Sequence, residues 1–150
     1  MRGNHHHVHL AIMTALSFIS MYVLMYAMVD RFANVYNNLN QFYMAGLMTA
    51  PLVVIEHAVM GSLYKHRNAN IVTVAVAVVA LGVFFLGIRQ QVAIDDKAFL
   101  RSMIPHHAGA ILMCERAPIQ DAEIKKLCGE IISGQQREID QMKSILARLI

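Results

Sequence analysis

The sequence predicts an all-α membrane protein in which three transmembrane helices are followed by a helical hairpin. Of its 150 residues, 57% are hydrophobic and only 15% are charged, which is too apolar for an ordinary soluble domain. Three apolar runs are each long enough to cross a bilayer, whereas the remainder mixes apolar and charged positions with a helical period. We therefore divide the chain into a His-rich tail at 1–9, a membrane region at 10–90 and a hairpin at 91–150.

Each apolar run is predicted to form one spanning helix, over residues 10–29, 42–64 and 71–88. The first run is longer than the core of a signal peptide, and no small-residue cleavage site follows it, so we expect it to be retained. The third run is rich in Val, Ile and Ala, yet its unbroken length favours a helix over a strand. Three spans place the N-terminus and the hairpin on opposite sides of the membrane.

The charge distribution suggests an orientation and excludes one class of partner. Residues 1–90 carry five Lys or Arg and two Asp or Glu, whereas residues 91–150 carry eight of each. Because the chain shows no basic face, we expect no nucleic-acid partner. Counting positive charges on the two sides of the membrane gives nearly a tie. The compact group Lys65, His66 and Arg67 favours a cytoplasmic loop, which leaves the hairpin outside the cytoplasm.

The hairpin is predicted to consist of two helices, at 92–116 and 122–149, joined by a break that contains Pro118. Asp121 is a good N-cap for the second helix. Two cysteines, Cys114 and Cys128, are too few for a disulfide scaffold. One bridge between them requires that the hairpin face an oxidising compartment.

Four side chains of the first hairpin helix indicate a soft-metal site: Met103, His106, His107 and Met113. Residues three and four positions apart share a helix face, so Met103 points with both histidines, and Met113 lies two turns past His106. Thioether and imidazole ligands suit Cu(I) or Ag(I), whereas Mg²⁺ and Ca²⁺ prefer oxygen. The alternative is a structural His pair among core methionines, since Met commonly fills irregular gaps.

The second hairpin helix interrupts its apolar face with Gln135 and Glu138, and Met142 follows on the same side. Antiparallel pairing about a turn near residue 119 places Gln135 near Met103 and Glu138 near Leu100. Polar groups on a core face cost free energy unless they are paired or ligated. A metal, or a hydrogen-bond network from His to Glu or Gln, would remove that cost, and the number of donors favours the metal.

The membrane region holds a candidate intramembrane site, in which Glu56 and His57 lie deep in the second span and Met60 follows one turn later. Ionisable groups at that depth are costly and mark functional candidates. They form either a pair that fixes helix packing, which we favour, or part of a soft-metal route. The tail adds four histidines that fit a natural metal-catching segment and a shortened purification tag equally well: His5, His6, His7 and His9.

The hairpin motif resembles a known bacterial family. Eight positions in its first helix carry the resemblance: Met103, Ile104, Pro105, His106, His107, Ala110, Ile111 and Met113. Five more follow in its second helix: Gln135, Gln136, Glu138, Ile139 and Met142. They resemble the ferritin-like family catalogued as domain of unknown function 305, and the three spans are similar to its membrane-anchored members.

The resemblance implies a helical bundle outside the cytoplasm, anchored in a bacterial inner membrane, that binds copper through Met and His. It implies a role in copper or silver tolerance for some members, and no catalytic activity is established for the group. Many members carry two copies of the hairpin where this chain carries one, so we expect a homodimer to complete the bundle. Cys114 precedes Glu115 where small residues are common, so Cys114 is a ligand, a disulfide partner or a packing residue.

We therefore expect a membrane-anchored protein, not an enzyme, that captures Cu(I) or Ag(I) for tolerance or for hand-off to a copper-handling partner. One alternative is a structural module that docks a partner membrane protein. The other is a ferritin-like oxidoreductase, which is disfavoured because di-iron sites need several core carboxylates with Glu-x-x-His spacing. The main ligands are expected to be Met103, His106, His107 and Met113, with Gln135, Glu138 and Met142 completing the site.

Overall fold

The described chain is helical throughout its regular structure, as the sequence predicts. The computed structural model describes residues 3–64 and 66–149, and within those ranges it contains five α-helices and no strand. The helices are α1 (Gly3–Leu24), α2 (Leu39–Met60), α3 (Arg67–Arg89), α4 (Asp96–Arg116) and α5 (Ala122–Leu149). Short 3₁₀ turns occupy Met25–Met28, Phe32–Asn34 and Gly61–Leu63.

Three segments are long and apolar enough to cross a membrane, namely His6–Met28, Leu39–Leu63 and Arg67–Arg89. They coincide with the three predicted spans, and each begins a few residues earlier than the hydrophobic run suggests. Since α1 begins at Gly3, the backbone of the histidine run is already helical. Three residues that entered the charge and tail arguments lie outside the described part, either entirely or in their side chains: Arg2, His5 and Lys65.

The chain folds as two compact units. The first combines the residues up to Met25 with Asn40–Val92 and therefore holds the three spans. The second combines Tyr26–Leu39 with the residues from Ala93 onward. The connection between the first two spans thus belongs to the same unit as the hairpin.

In the first unit, α2 and α3 approach each other where a glycine of one helix faces an aromatic ring of the other. Gly46 of α2 lies directly under the ring of Phe84 in α3, where a Cβ would clash with the ring carbons. At one end of the unit, a buried cluster draws on all three helices and on the loop after α2: Leu10, Val53, Tyr64 and Ala77.

In the second unit, α4 and α5 form the predicted hairpin. The Asp121 carboxylate accepts hydrogen bonds from the backbone N–H groups of Glu123 and Ile124, both at 2.9 Å, which confirms the predicted N-cap. Cys114 and Cys128 form a disulfide whose Cα atoms are 5.2 Å apart. The buried hairpin core consists of Leu100, Ile104, Ala108, Ile111, Ile139, Met142 and Leu146.

The connection between the first two spans packs against this hairpin core, which the sequence did not predict. Val29 and Tyr36 contribute side chains to the core. The Met28 carbonyl oxygen lies 3.4 Å from the position that a Cβ of Gly109 would occupy, so the absence of a side chain at Gly109 permits this close approach. Apolar surface that the hairpin helices leave open is therefore partly covered by the same chain.

A buried polar chain fixes that connection to α5. The Lys143 ammonium donates to Asn34 Oδ1 at 2.6 Å, and Asn34 Nδ2 donates to Asp30 Oδ1, also at 2.6 Å. Asn34 is only 1% exposed. Buried polar groups of this kind are costly unless each has a partner. Asn34 therefore links Lys143 to Asp30, whose other carboxylate oxygen accepts from Arg31 Nε at 2.8 Å.

Replacing Asn34 with Ala should destabilise the second unit by about 1–3 kcal/mol, because Lys143 and Asp30 each lose a buried partner. Thermal unfolding of the full chain in detergent, followed by circular dichroism, measures the change. Gln136→Ala is the matched control, since it removes an exposed side-chain hydrogen bond to Asp140. Equal melting temperatures for the Asn34 and Gln136 variants would contradict the assignment.

Candidate metal site

The seven predicted hairpin residues are distributed between the interior and the surface. Two are buried, His107 and Met142; two are half-buried, Met103 and Gln135; and three are exposed, His106, Met113 and Glu138. The candidate site therefore has a buried part and an accessible part.

His107 is the centre of the buried part, and both of its ring nitrogens have partners. Nδ1 lies 2.9 Å from the Met103 carbonyl oxygen one turn earlier in α4. Nε2 lies 2.7 Å from Glu138 Oε2 on α5. The contact from His107 to Glu138 is one of the two solutions that the sequence left open. It gives a hydrogen-bond partner to the second nitrogen of a histidine that is only 8% exposed.

The hydrogen-bond contacts of the two His107 ring nitrogens determine where protons must lie. A carbonyl oxygen can only accept, so Nδ1 carries a proton and donates to Met103. The short contact between Nε2 and Glu138 Oε2 then requires one further proton shared between these two atoms. The Glu138 side chain is 58% exposed, so solvent screens this pair from one side.

The predicted pairing register of the hairpin is wrong, because Glu138 meets His107 rather than Leu100. Residues 121–127 of the second arm are all exposed, so the start of α5 does not pair with α4. The disulfide from Cys114 to Cys128 marks where the pairing begins. The observed register therefore places α5 further along α4 than a turn centred on residue 119 would place it.

The accessible part is a stripe on α4. Met103 and His106 are three residues apart and share a face, and the His106 ring lies 6.0 Å, centroid to centroid, from that of His107. Met113 follows on the same stripe and is 54% exposed. At the helical rise of about 1.5 Å per residue, Met113 is roughly 10 Å beyond His106, so it forms a separate donor position.

Gln135 and Met142 occupy different surroundings on α5. Met142 belongs to the buried hairpin core, where its thioether packs among aliphatic side chains. Gln135 is half-buried, and its Oε1 has no hydrogen-bond partner among the described residues. Gln135 therefore offers an available oxygen, whereas Met142 acts as packing in this conformation.

The candidate intramembrane residues Glu56 and His57 lie near the C-terminal end of α2, and they meet an unexpected partner. The Tyr64 hydroxyl donates to Glu56 Oε1 at 3.1 Å. The His57 ring stacks on the Tyr64 ring with centroids 4.6 Å apart. Met60, by contrast, is 39% exposed. Both Glu56 and His57 thus contact protein, through a tyrosine that the sequence analysis did not single out.

Within residues 3–64 and 66–149, no three His, Cys, Asp or Glu side chains are grouped closely enough to hold one metal ion. Thioether sulfurs are not part of that ligand set. The case for a hairpin metal site therefore depends on Met103 acting together with the histidines.

Comparison with known proteins places the hairpin in a family. The family described as "Domain of unknown function (DUF305)" matches residues 89–149. An uncharacterized protein of Acanthamoeba polyphaga mimivirus is 37% identical over 111 residues, which cover 73% of this chain and 71% of the viral protein. No solved structure matches the chain.

Replacing Glu138 with Ala should lower the stability of the hairpin by about 1 kcal/mol, because His107 Nε2 is left buried without an acceptor. Thermal unfolding in detergent measures the effect. Glu130→Ala is the matched control, since Glu130 is an exposed carboxylate on the same helix. If the Glu138 variant melts no lower than the Glu130 variant, the buried pair does not stabilise the hairpin.

Proposed function

The chain belongs to the DUF305 family, and on that premise we propose that it is a membrane-anchored protein that binds Cu(I) or Ag(I) through its hairpin. The proposed role is capture of the ion for tolerance or hand-off, without catalytic turnover. Met103, His106 and His107 form the main binding position on α4. Met113 forms a second donor position further along the same stripe.

The observation that carries this proposal is the orientation of His107 beside accessible soft donors. A ligand histidine is typically fixed by a hydrogen bond from its other ring nitrogen to a carbonyl or carboxylate oxygen. His107 has this arrangement, since its Nδ1 donates to the Met103 carbonyl oxygen. The Met103 thioether and the His106 imidazole belong to the same turn, and together they match the preference of a soft monovalent ion.

Binding at His107 Nε2 competes with the contact to Glu138. A metal ion needs the lone pair on that nitrogen, so the shared proton must leave and Glu138 must turn away. Because the Glu138 side chain is largely exposed, solvent can take over its hydrogen bonds.

The proposed compartment is the outside of a bacterial inner membrane, with the Lys65–Arg67 loop in the cytoplasm. The disulfide between Cys114 and Cys128 supports this orientation, because disulfides persist mainly in oxidising compartments. Of the three roles left open for Cys114, the disulfide is the one the hairpin geometry favours.

A second candidate function is a docking module for another membrane protein or for a second copy of this chain. Exposed apolar side chains near the turn of the hairpin favour it, since Met113, Ile124 and Leu127 are each about half exposed. A homodimer through this surface is compatible with metal binding. The connection at 26–39 already covers other apolar surface of the hairpin, so the dimer needs less contact than two bare helices would.

Cu(I) binding should depend on the α4 stripe. We expect His106→Ala combined with His107→Ala to abolish high-affinity binding, and Met103→Leu to weaken it by about tenfold or more. Competition between the full-length protein and a chromophoric Cu(I) chelator measures the affinity. His66→Ala is the matched control, as an exposed histidine outside the hairpin. Unchanged affinity in both hairpin variants would refute the proposal and leave the docking function.

Surface labelling should show the hairpin outside the cytoplasm. In a background where both cysteines are replaced by Ala, Lys126→Cys introduces an exposed thiol on α5. A membrane-impermeant maleimide should label it in cells whose outer barrier alone is opened. Arg67→Cys, on the opposite loop, should react only after the inner membrane is lysed. The reverse pattern would invert the proposed topology.

A further inference from the structure

A cavity of about 540 Å³ lies between the three helices of the membrane-spanning unit. It is elongated, because its lining on α1 extends from His7 to Phe18 and its lining on α3 extends from Thr73 to Phe84. At about 1.5 Å per residue, each of these stretches is roughly 16 Å long. The volume falls within the range of roughly 300–1,000 Å³ that ligand pockets occupy. The cavity therefore fits a long, narrow ligand better than a compact one.

The walls of this cavity are apolar, although three threonines belong to them. The hydroxyls of Thr14 and Thr73 each donate to the backbone carbonyl oxygen four residues earlier, at 2.8 and 2.9 Å. The Thr49 hydroxyl donates to the sulfur of Met21 at 3.3 Å. Because each hydroxyl proton already has an acceptor, the threonines present mainly their methyl groups to a ligand. A ligand that lies along these walls is therefore hydrocarbon over most of its length.

The two ends of the cavity differ in chemistry. Phe18 and Phe84 line one end, and the ring of Phe42 meets both of them edge to face, with centroids 5.1 and 6.0 Å away. His7 lines the other end, where its ring lies 5.3 Å from that of Tyr64, centroid to centroid. An amphiphilic ligand would therefore place its hydrocarbon against the phenylalanines and its polar group toward His7.

The His7 end of the unit is also basic. Arg67 begins α3, and Thr73 lines the cavity roughly 9 Å further along that helix. Arg67 is exposed and has no ion-pair partner among residues 3–64 and 66–149. Lys65 comes two residues before it in sequence. Glu56 is the single acidic residue in the sequence of this unit, and its carboxylate already accepts a tyrosine hydroxyl at 3.1 Å. The charge at this end is therefore complementary to an anion.

We propose that this cavity binds one acyl chain of an anionic glycerophospholipid, with the lipid phosphate at the Arg67 end. Basic residues at a membrane surface attract anionic lipids, and a guanidinium group can donate two parallel hydrogen bonds to a phosphate. The second acyl chain remains in the surrounding bilayer, which the three helices are long and apolar enough to cross. A zwitterionic phospholipid fits less well, because it brings a cationic group to a basic surface. The proposal depends on membrane anchoring and is independent of metal binding by the hairpin.

The test is native mass spectrometry of the full-length protein, released from micelles that contain equal amounts of phosphatidylglycerol and phosphatidylcholine with the same acyl chains. We expect one phosphatidylglycerol per chain to be retained in preference to phosphatidylcholine. Arg67→Gln leaves the cavity unchanged and should lower this preference by about fivefold, the effect of one basic residue near an anionic membrane surface. Equal retention of the two phospholipids by the wild type would overturn the proposal, as would retention of a free fatty acid alone.

A second variant tests the cavity itself. Ala80 lines the cavity, so Ala80→Phe places a ring inside it and should abolish retention of the lipid. Ala75→Phe is the matched control, because Ala75 is an exposed residue of the same helix that lies outside the lining. Circular dichroism verifies that both variants are folded. Retention of phosphatidylglycerol by folded Ala80→Phe protein at the wild-type level would contradict the proposal. If that variant does not fold, the lipid preferences of the wild type and of Arg67→Gln decide the question by themselves.

Discussion

The apolar faces of α4 and α5 must be shielded from water, and this requirement determines how much of the second unit is packed. Two helices cannot enclose a broad apolar face between them, because each can bury only the side that faces the other. This chain adds the connection at 26–39, which contributes Val29 and Tyr36 to the core and attaches to α5 through Asn34 and Lys143. The loop between two spans thereby becomes part of the domain that holds the candidate site.

The sequence predicted the elements well and their contacts less well. Length and hydropathy are sufficient to locate three helices that are long and apolar enough to cross a membrane, and the carboxylate of Asp121 marks the start of α5. The packing of 26–39 could not be derived, because Asn and Asp in a short connection are as typical of a solvated turn as of a buried network. The presence of Val35 and Tyr36 beside Asn34 was the available signal, and it is weak without knowledge of the facing surface.

The same limit applies to the candidate sites. Helical spacing correctly places Met103 and His106 on one face of a continuous helix, since that depends on α4 alone. It could not predict that Glu138 contacts His107, because the register of α4 and α5 depends on the conformation of the turn that joins them. Nor could it identify Tyr64 as the partner of both Glu56 and His57, because that contact depends on how the chain folds back after α2. Contacts within one helix were predictable, and contacts between elements were not.

The central claim is that thioether and imidazole groups of the hairpin bind a soft monovalent ion together. X-ray absorption spectroscopy at the copper edge, on the full-length protein loaded with Cu(I), tests it most directly, because sulfur and nitrogen scatter differently. The account predicts a first coordination shell that contains both sulfur and nitrogen, and the sulfur contribution should disappear in Met103→Leu combined with Met113→Leu. A shell of nitrogen and oxygen alone, or no copper retained after desalting, would contradict it.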